Sequence, residues 1–418
     1  MAPSTNALVA HALRRTTFGP TPGAVETFTA KGSAGPSAAI EWALAQPPLV
    51  VLPGEITKDD WEGYLRGWTD NLRSPLGGIH EKMTWFWHGH LTTSSFKVGQ
   101  LKMLHDQQQV FRKHALGNFR AMLHDITVNA AMLLYLDGAG SSVEAPNENY
   151  AREVMELFTL GRGQYHESDV KAGALGFAGY EVDWETGSVS FDEERALGGE
   201  IEFLGKRGRF RAHDLVDILC DHPACAPHVA GKVYAFLVGT APTPERLNSL
   251  ANEFRTSGLD IKKLVTSIAM SEEFLTLRMN RPRYPVEWWT SALHALGPAR
   301  EGEDPDVQPW VLEELDQLPH RPPNVAGWPA GERWLSPSQQ LARASYVWSW
   351  SWKISPLEAE GLDLVQAICE RTNLHEVSSA TRDALHGAAT ATAGAADALS
   401  VTRRLFTVAL TSPEFALA

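Results

Sequence analysis

Two histidines flank a glycine in "WFWHGHLTTSS", residues 85–95, and a charged run crowds "PNENYAREVMELFTLG" sixty residues later. Imidazoles bind transition metals and carry protons, so His88 and His90 are the first candidates for chemistry. Positions i and i+2 of a continuous helix lie about 200° apart, which would point the two rings away from each other. A last turn broken at Gly89, ahead of Thr92-Thr93-Ser94-Ser95, would let both rings face one ion. The plainer alternative has His88 capping the helix C-terminus and His90 bonding a backbone carbonyl.

In the second block Asn149, Glu153 and Glu156 fall within about 60° of one another on a helical wheel. Arg152 sits one turn from both Glu148 and Glu156 and can pair with either. A buried carboxylate here would need an arginine or a cation beside it. The alternative is a solvated ladder of ion pairs. Three His-Asp dipeptides also occur, His105-Asp106, His124-Asp125 and His213-Asp214. With Asp137 and an upstream histidine they imitate the ligand order of helical phosphohydrolases, although 15 histidines make such pairs frequent by chance. HExxH, GxSxG, the Walker loop and a strand-following GxGxxG are all missing, which disfavours zincin, serine-hydrolase, P-loop and Rossmann chemistry.

The elements that must hold these residues read as helices. Apolar positions recur at helical spacing through most of the chain, as at Leu101, Leu104, Phe111 and Ala115. Between 60 and 136 three or four long helices are expected, with residues 49–60 as a proline-containing connector. Residues 181–212 alternate apolar and polar side chains around Gly and Asp, which predicts a β-hairpin. The fold class is therefore mainly α, an irregular multi-helix bundle with a small hairpin insertion. Four segments follow: 1–60, N-terminal helices and connector; 61–180, carrying both polar blocks; 181–212, the hairpin; and 213–418, helical with a Pro/Gly/Trp-rich loop at 298–338. Trp85, Phe86 and Trp87 read as core, and Trp328 and Trp334 as anchors of that loop. "SIAMSEEF" and "VALTSPEF" echo each other, too briefly for a solenoid.

The chain of 418 residues carries 37 Lys+Arg against 50 Asp+Glu, a formal charge of −13, which argues against a phosphate-tracking surface and so against nucleic acid. Cys220, Cys225 and Cys369 cannot build a disulfide framework, and the first two read as buried thiols. No export signal and no membrane-spanning run are visible, so a cytoplasmic location is expected.

Taken in order, "LRRTTFGPTPG", "WFWHGHLTTS", "RKHALGNFRAML", "MLLYLDG", "PNENYAREVMELFTLG", "HPA…GKVYAFLVG" and "PPNVAGWPAGERWL" resemble the bacterial proteins grouped as domain-of-unknown-function family 1800, over nearly the whole chain. The resemblance implies a commonly exported protein, often beside a sulfatase-like partner, with no general activity attached. This chain departs by lacking a visible export signal. It also departs in the histidine block, where the family's usual Trp-His-Asn-His-Phe is matched at His88 and His90 but carries Gly89 and Leu91. The Asn147-Glu148-Asn149, Arg152, Glu153 and Glu156 positions match.

Because packing alone does not demand His, Asn, Arg and Glu in these blocks, the sequence points to a metal-dependent enzyme acting on a small molecule. His88, His90 and Glu153 would hold the metal, Glu156 or Glu148 would serve as fourth ligand or base, and Arg152 would hold carboxylates or a substrate anion. Two imidazoles and a carboxylate suit iron, copper, zinc or manganese alike. A bound iron, copper or haem would mark an oxidoreductase, which open positions beside Trp85, Trp87 and Tyr150 fit better, whereas zinc or manganese would mark a hydrolase. A non-catalytic scaffold would use the same polar blocks as buried networks.

Overall fold

The computed structural model describes residues 3–49, 60–196, 198–301, 309–357, 363–390 and 397–418. The expected connector therefore lies almost wholly outside the described residues, as does part of the 298–338 loop. The described residues are 61% helical and form 23 α-helices and two small antiparallel sheets. The 181–212 region holds two hairpins instead of one: Tyr180–Val182 pairs with Val189–Phe191, and Ile201–Phe203 with Lys206–Gly208.

Local signals set most boundaries. Ser, Asn, Asp or Thr side chains accept from first-turn amides at Ser4, Asn118, Asn147, Thr243, Asp260 and Ser336. The eight-residue echo has the same cause, since Ser271 and Ser412 each follow one helix and cap a short second one. One expected long helix is in fact two: Asn129 accepts from Met132 N and restarts the chain between Phe119–Thr127 and Ala130–Tyr135. A side chain that competes for backbone amides is a natural break.

One contiguous buried cluster runs from Val9 to Phe415. At its centre lies the helix Gly78–His90, of which every residue but Gly89 is buried. Such a helix has no solvent face, so its charges must be paired inside. Arg112 grips Glu81 with two bonds of 2.7 and 2.9 Å. Lys82 meets Glu287 at 2.5 Å, and Arg281 takes both oxygens of the same carboxylate at 2.8 and 2.9 Å. Burial would raise the Glu287 carboxyl, yet Arg281 and Lys82 hold it far below the ordinary carboxylate range.

The segment carrying "NVAGW" docks onto the end of this central helix. Gly327 has φ +81, and a Cβ there would lie 2.1 Å from the Gly89 carbonyl oxygen. Only glycine permits both the conformation and the approach. Trp328 then stacks on Trp85, ring centroids 5.6 Å apart and 22° from parallel, and Trp334 is buried with its Nε1–H on the Pro329 carbonyl.

Candidate functional site

The helix runs unbroken through His90, so the two imidazoles leave it on different sides. His88 turns toward Trp68 and His320, with ring centroids 5.0 and 4.7 Å away. Its Nε2 accepts the His320 backbone N–H at 3.2 Å, so Nδ1 carries the proton and has no partner among the described residues. Tyr64 bonds the His320 ring at 2.8 Å. Burial pushes the His88 imidazole down to about 3, which keeps it neutral.

His90 turns toward the charged block, but to its backbone. Its Nε2–H donates to the Phe158 carbonyl at 3.0 Å, and His228 Nε2–H donates to the neighbouring Leu157 carbonyl at 2.9 Å. Both acceptors lie in Val154–Thr159, a π-helical turn between the α-helix Glu148–Glu153 and Gly161. A π turn spreads an extra residue into the ladder and loosens the usual pairing of its carbonyls, and such turns recur at functional sites. Because Nε2 carries the His90 proton, Nδ1 is the nitrogen with the free lone pair. Burial, with Lys232 and His228 nearby, holds the ring well below the ordinary histidine range and therefore neutral.

Two of the three carboxylates expected around a metal, Glu148 and Glu156, pair elsewhere. Arg152 bonds Glu167 at 2.7 and 3.0 Å and Glu148 at 3.1 Å, on the surface. Glu156 accepts from Arg162 at 2.6 Å and Tyr165 at 2.8 Å. Glu153 is half-buried, and its carboxyl is raised by burial and by the Glu156 charge. The π turn begins one residue after Glu153, so Glu156 is carried round the axis from its place on an ideal wheel. His88 and His90 thus make their contacts in separate places, and no hydrogen bond or ion pair joins Glu153 to either of them among the described residues. No group of three or more His, Cys, Asp or Glu side chains is gathered for a metal among the described residues. The His-Asp pairs are likewise dispersed: Asp106 pairs with Lys102, Asp125 with Lys113 and His114, Asp137 with Lys97, and His124 with Asp217. Cys220 and Cys225 are buried free thiols.

What His90 does reach is a cavity of about 290 Å³, lined among others by Trp85, Phe86, Lys232, Phe236, Tyr284, Gln317 and Trp328. The Cys225–Val238 helix supplies Lys232 and Phe236, and the segment docked by Gly327 supplies Trp328. Lys232 keeps an exposed side chain and makes no ion pair among the described residues, while the protein crowding its ammonium lowers it from the ordinary lysine value. Gln317 Oε1 accepts the Val286 N–H at 2.9 Å, which leaves its amide N–H groups as the donors it can offer. Aromatic walls with a few polar groups are the usual makeup of a small-molecule site, and this volume sits at the small end of the range.

Sequence reasoning singled out His90 as a metal ligand, Trp85 as core and Trp328 as a loop anchor, and it missed Lys232, Phe236, Tyr284, Gln317, His228 and His320. A signal for Lys232 was present, since it is the one charged residue in "HVAGKVYAFLVG". No helix of the described residues is long and apolar enough to cross a membrane. A family model described as "Protein of unknown function (DUF1800)" matches residues 11–417. No curated protein and no solved structure matches the chain.

Proposed function

For this chain, which belongs to the DUF1800 family, we propose an enzyme that performs acid–base chemistry on a small molecule bound in the aromatic cavity. His90 is its proton acceptor and Lys232 its charge stabiliser. One observation carries the reading: the Phe158 carbonyl fixes the His90 tautomer, so a neutral imidazole on the cavity wall keeps Nδ1 as its basic nitrogen. A general base needs an unprotonated nitrogen held in one orientation, and this arrangement supplies both. Burial depresses the ring. A bound anion would bring it back toward neutral pH by favouring the imidazolium. Lys232 would then sit beside whatever negative charge develops when a proton leaves the substrate.

The metal-dependent oxidoreductase and hydrolase expected from the sequence would need ligands other than His88, His90 and Glu153 acting together. The scaffold alternative would leave a half-dozen large side chains around unused space, forgoing the contacts that a closed core would give them.

The test is a mass-spectrometric comparison of a bacterial small-molecule extract after incubation with wild-type protein or with His90→Gln. The reading expects at least one compound to be consumed or formed by the wild type and not by the variant. If no compound changes with either protein, the enzyme reading fails. If both act equally, His90 is not the base.

A further inference from the structure

The polar groups of the cavity select a charge and a shape, and on the reading just given they name a substrate class. We infer that the site takes a planar aromatic molecule bearing one carboxylate, its ring against the tryptophan and phenylalanine walls and its carboxylate toward Lys232 and Gln317.

Charge comes first. Among the lining residues Lys232 is the one ionised side chain, and no aspartate or glutamate lines the space. Its ammonium has no carboxylate partner among the described residues, which leaves it able to meet a ligand anion. Gln317 adds two amide N–H donors, its Oε1 being held in place by the Val286 N–H. Behind the wall, Lys82 and Arg281 stand 6.0 and 5.9 Å from the Phe236 ring centroid, and the two share the single carboxylate of Glu287. The local field is therefore positive from the mouth and from behind. The chain as a whole carries −13, but charges on the distant surface are screened beyond roughly 8 Å in physiological salt, so the near cations decide.

Shape comes second. Trp85 and Trp328 stack on each other, and Phe236 and Tyr284 pack at 5.8 Å with a 31° tilt, both pairs lining the cavity. Ring walls favour a flat conjugated ligand over an aliphatic one, because offset stacking adds to simple burial. At about 290 Å³ the space suits one or two fused rings. Nδ1 of His90 then meets an O–H or N–H on the ring system, the proton that the proposed chemistry would move.

Calorimetry with 2-naphthoate, 2-naphthamide and 2-naphthylmethylammonium tests this on the full chain. Size and flatness are shared, so charge is the variable. Wild-type protein should bind the naphthoate at least tenfold more tightly than the amide, and the ammonium most weakly. Lys232→Met should erase the preference for the acid while still binding the amide, and Lys232→Arg should keep it. Ala235→Phe, which fills the cavity, should abolish binding of all three while far-UV circular dichroism stays unchanged. Equal affinity for naphthoate and naphthamide, or a preference that survives Lys232→Met, would overturn the substrate class and leave the cavity reading intact. Failure of all three probes to bind the wild type would overturn both.

Discussion

Replacing Gly327 by alanine tests whether the docked "NVAGW" segment builds the cavity. Two costs are separable. The first is conformational: φ at Gly327 is +81, where a Cβ costs about 1–2 kcal/mol. The second is steric. The added Cβ would lie 2.1 Å from the Gly89 carbonyl oxygen and 3.2 Å from its carbon, both backbone atoms that no rotamer change can move. That oxygen also accepts the Thr92 hydroxyl at 2.8 Å, so helix end and loop must part by roughly 1 Å, an overpacking cost of about 1–3 kcal/mol. Gly23→Ala is the control, because Gly23 has φ +79 with nothing within 4 Å of the added Cβ. For a chain this long 1 kcal/mol shifts the melting temperature by about 1 °C. Differential scanning fluorimetry should therefore give losses of about 2–5 °C for Gly327→Ala and about 1–2 °C for Gly23→Ala. Because the shift moves Trp328 off Trp85, Gly327→Ala should also weaken 2-naphthoate binding, and Gly23→Ala should not. A Gly327→Ala protein as stable as the control, with unchanged binding, would refute the argument.

Two further outcomes follow from the buried histidines and the dispersed carboxylates. Burial lowers His11 and His88 to about 3 and His294 to about 4, so below pH 6.5 the unfolded chain takes up protons that the folded chain refuses. Stability is then full above about pH 6.5 and falls as pH drops toward 4, by up to about 4 kcal/mol per pH unit for three groups; urea unfolding that is unchanged between pH 7 and pH 5 would contradict this. Glu153→Gln should leave the metal content of purified protein, measured by mass spectrometry, the same as wild type, because no hydrogen bond or ion pair joins Glu153 to His88 or His90 among the described residues. A stoichiometric metal lost in both Glu153→Gln and His90→Ala would restore the ligand set that the sequence suggested.

Much of the helical framework was legible because its instructions are local. A serine or asparagine that accepts an amide three residues on, a proline in the first turn, or a glycine past the last one acts within a single turn of chain. Asn129 shows the limit of periodicity alone: the apolar pattern runs straight through it, and its side chain still breaks the helix. In the histidine block the helical spacing of His88 and His90 already put their rings apart, and the backbone carbonyl foreseen as one alternative for His90 is what it finds. The π turn at Val154–Thr159 was not legible, because it differs from an α turn by one residue and nothing in "VMELFT" marks it.

By itself, then, the sequence determined most of the helices, the family, and the odd concentration of polar side chains in two blocks, and it left open whether His88 and His90 converge. Tertiary structure alone decided what those side chains meet. It put His90 on a backbone carbonyl of the charged block instead of its carboxylates, turned Glu148, Arg152 and Glu156 to surface pairings, and brought Lys232, Gln317 and Trp328 to one cavity. The reason is range. Caps and periodicity are settled between neighbours in the chain, whereas a cavity is made by helices whose separation in sequence is bridged only when the core closes around the buried Gly78–His90 helix.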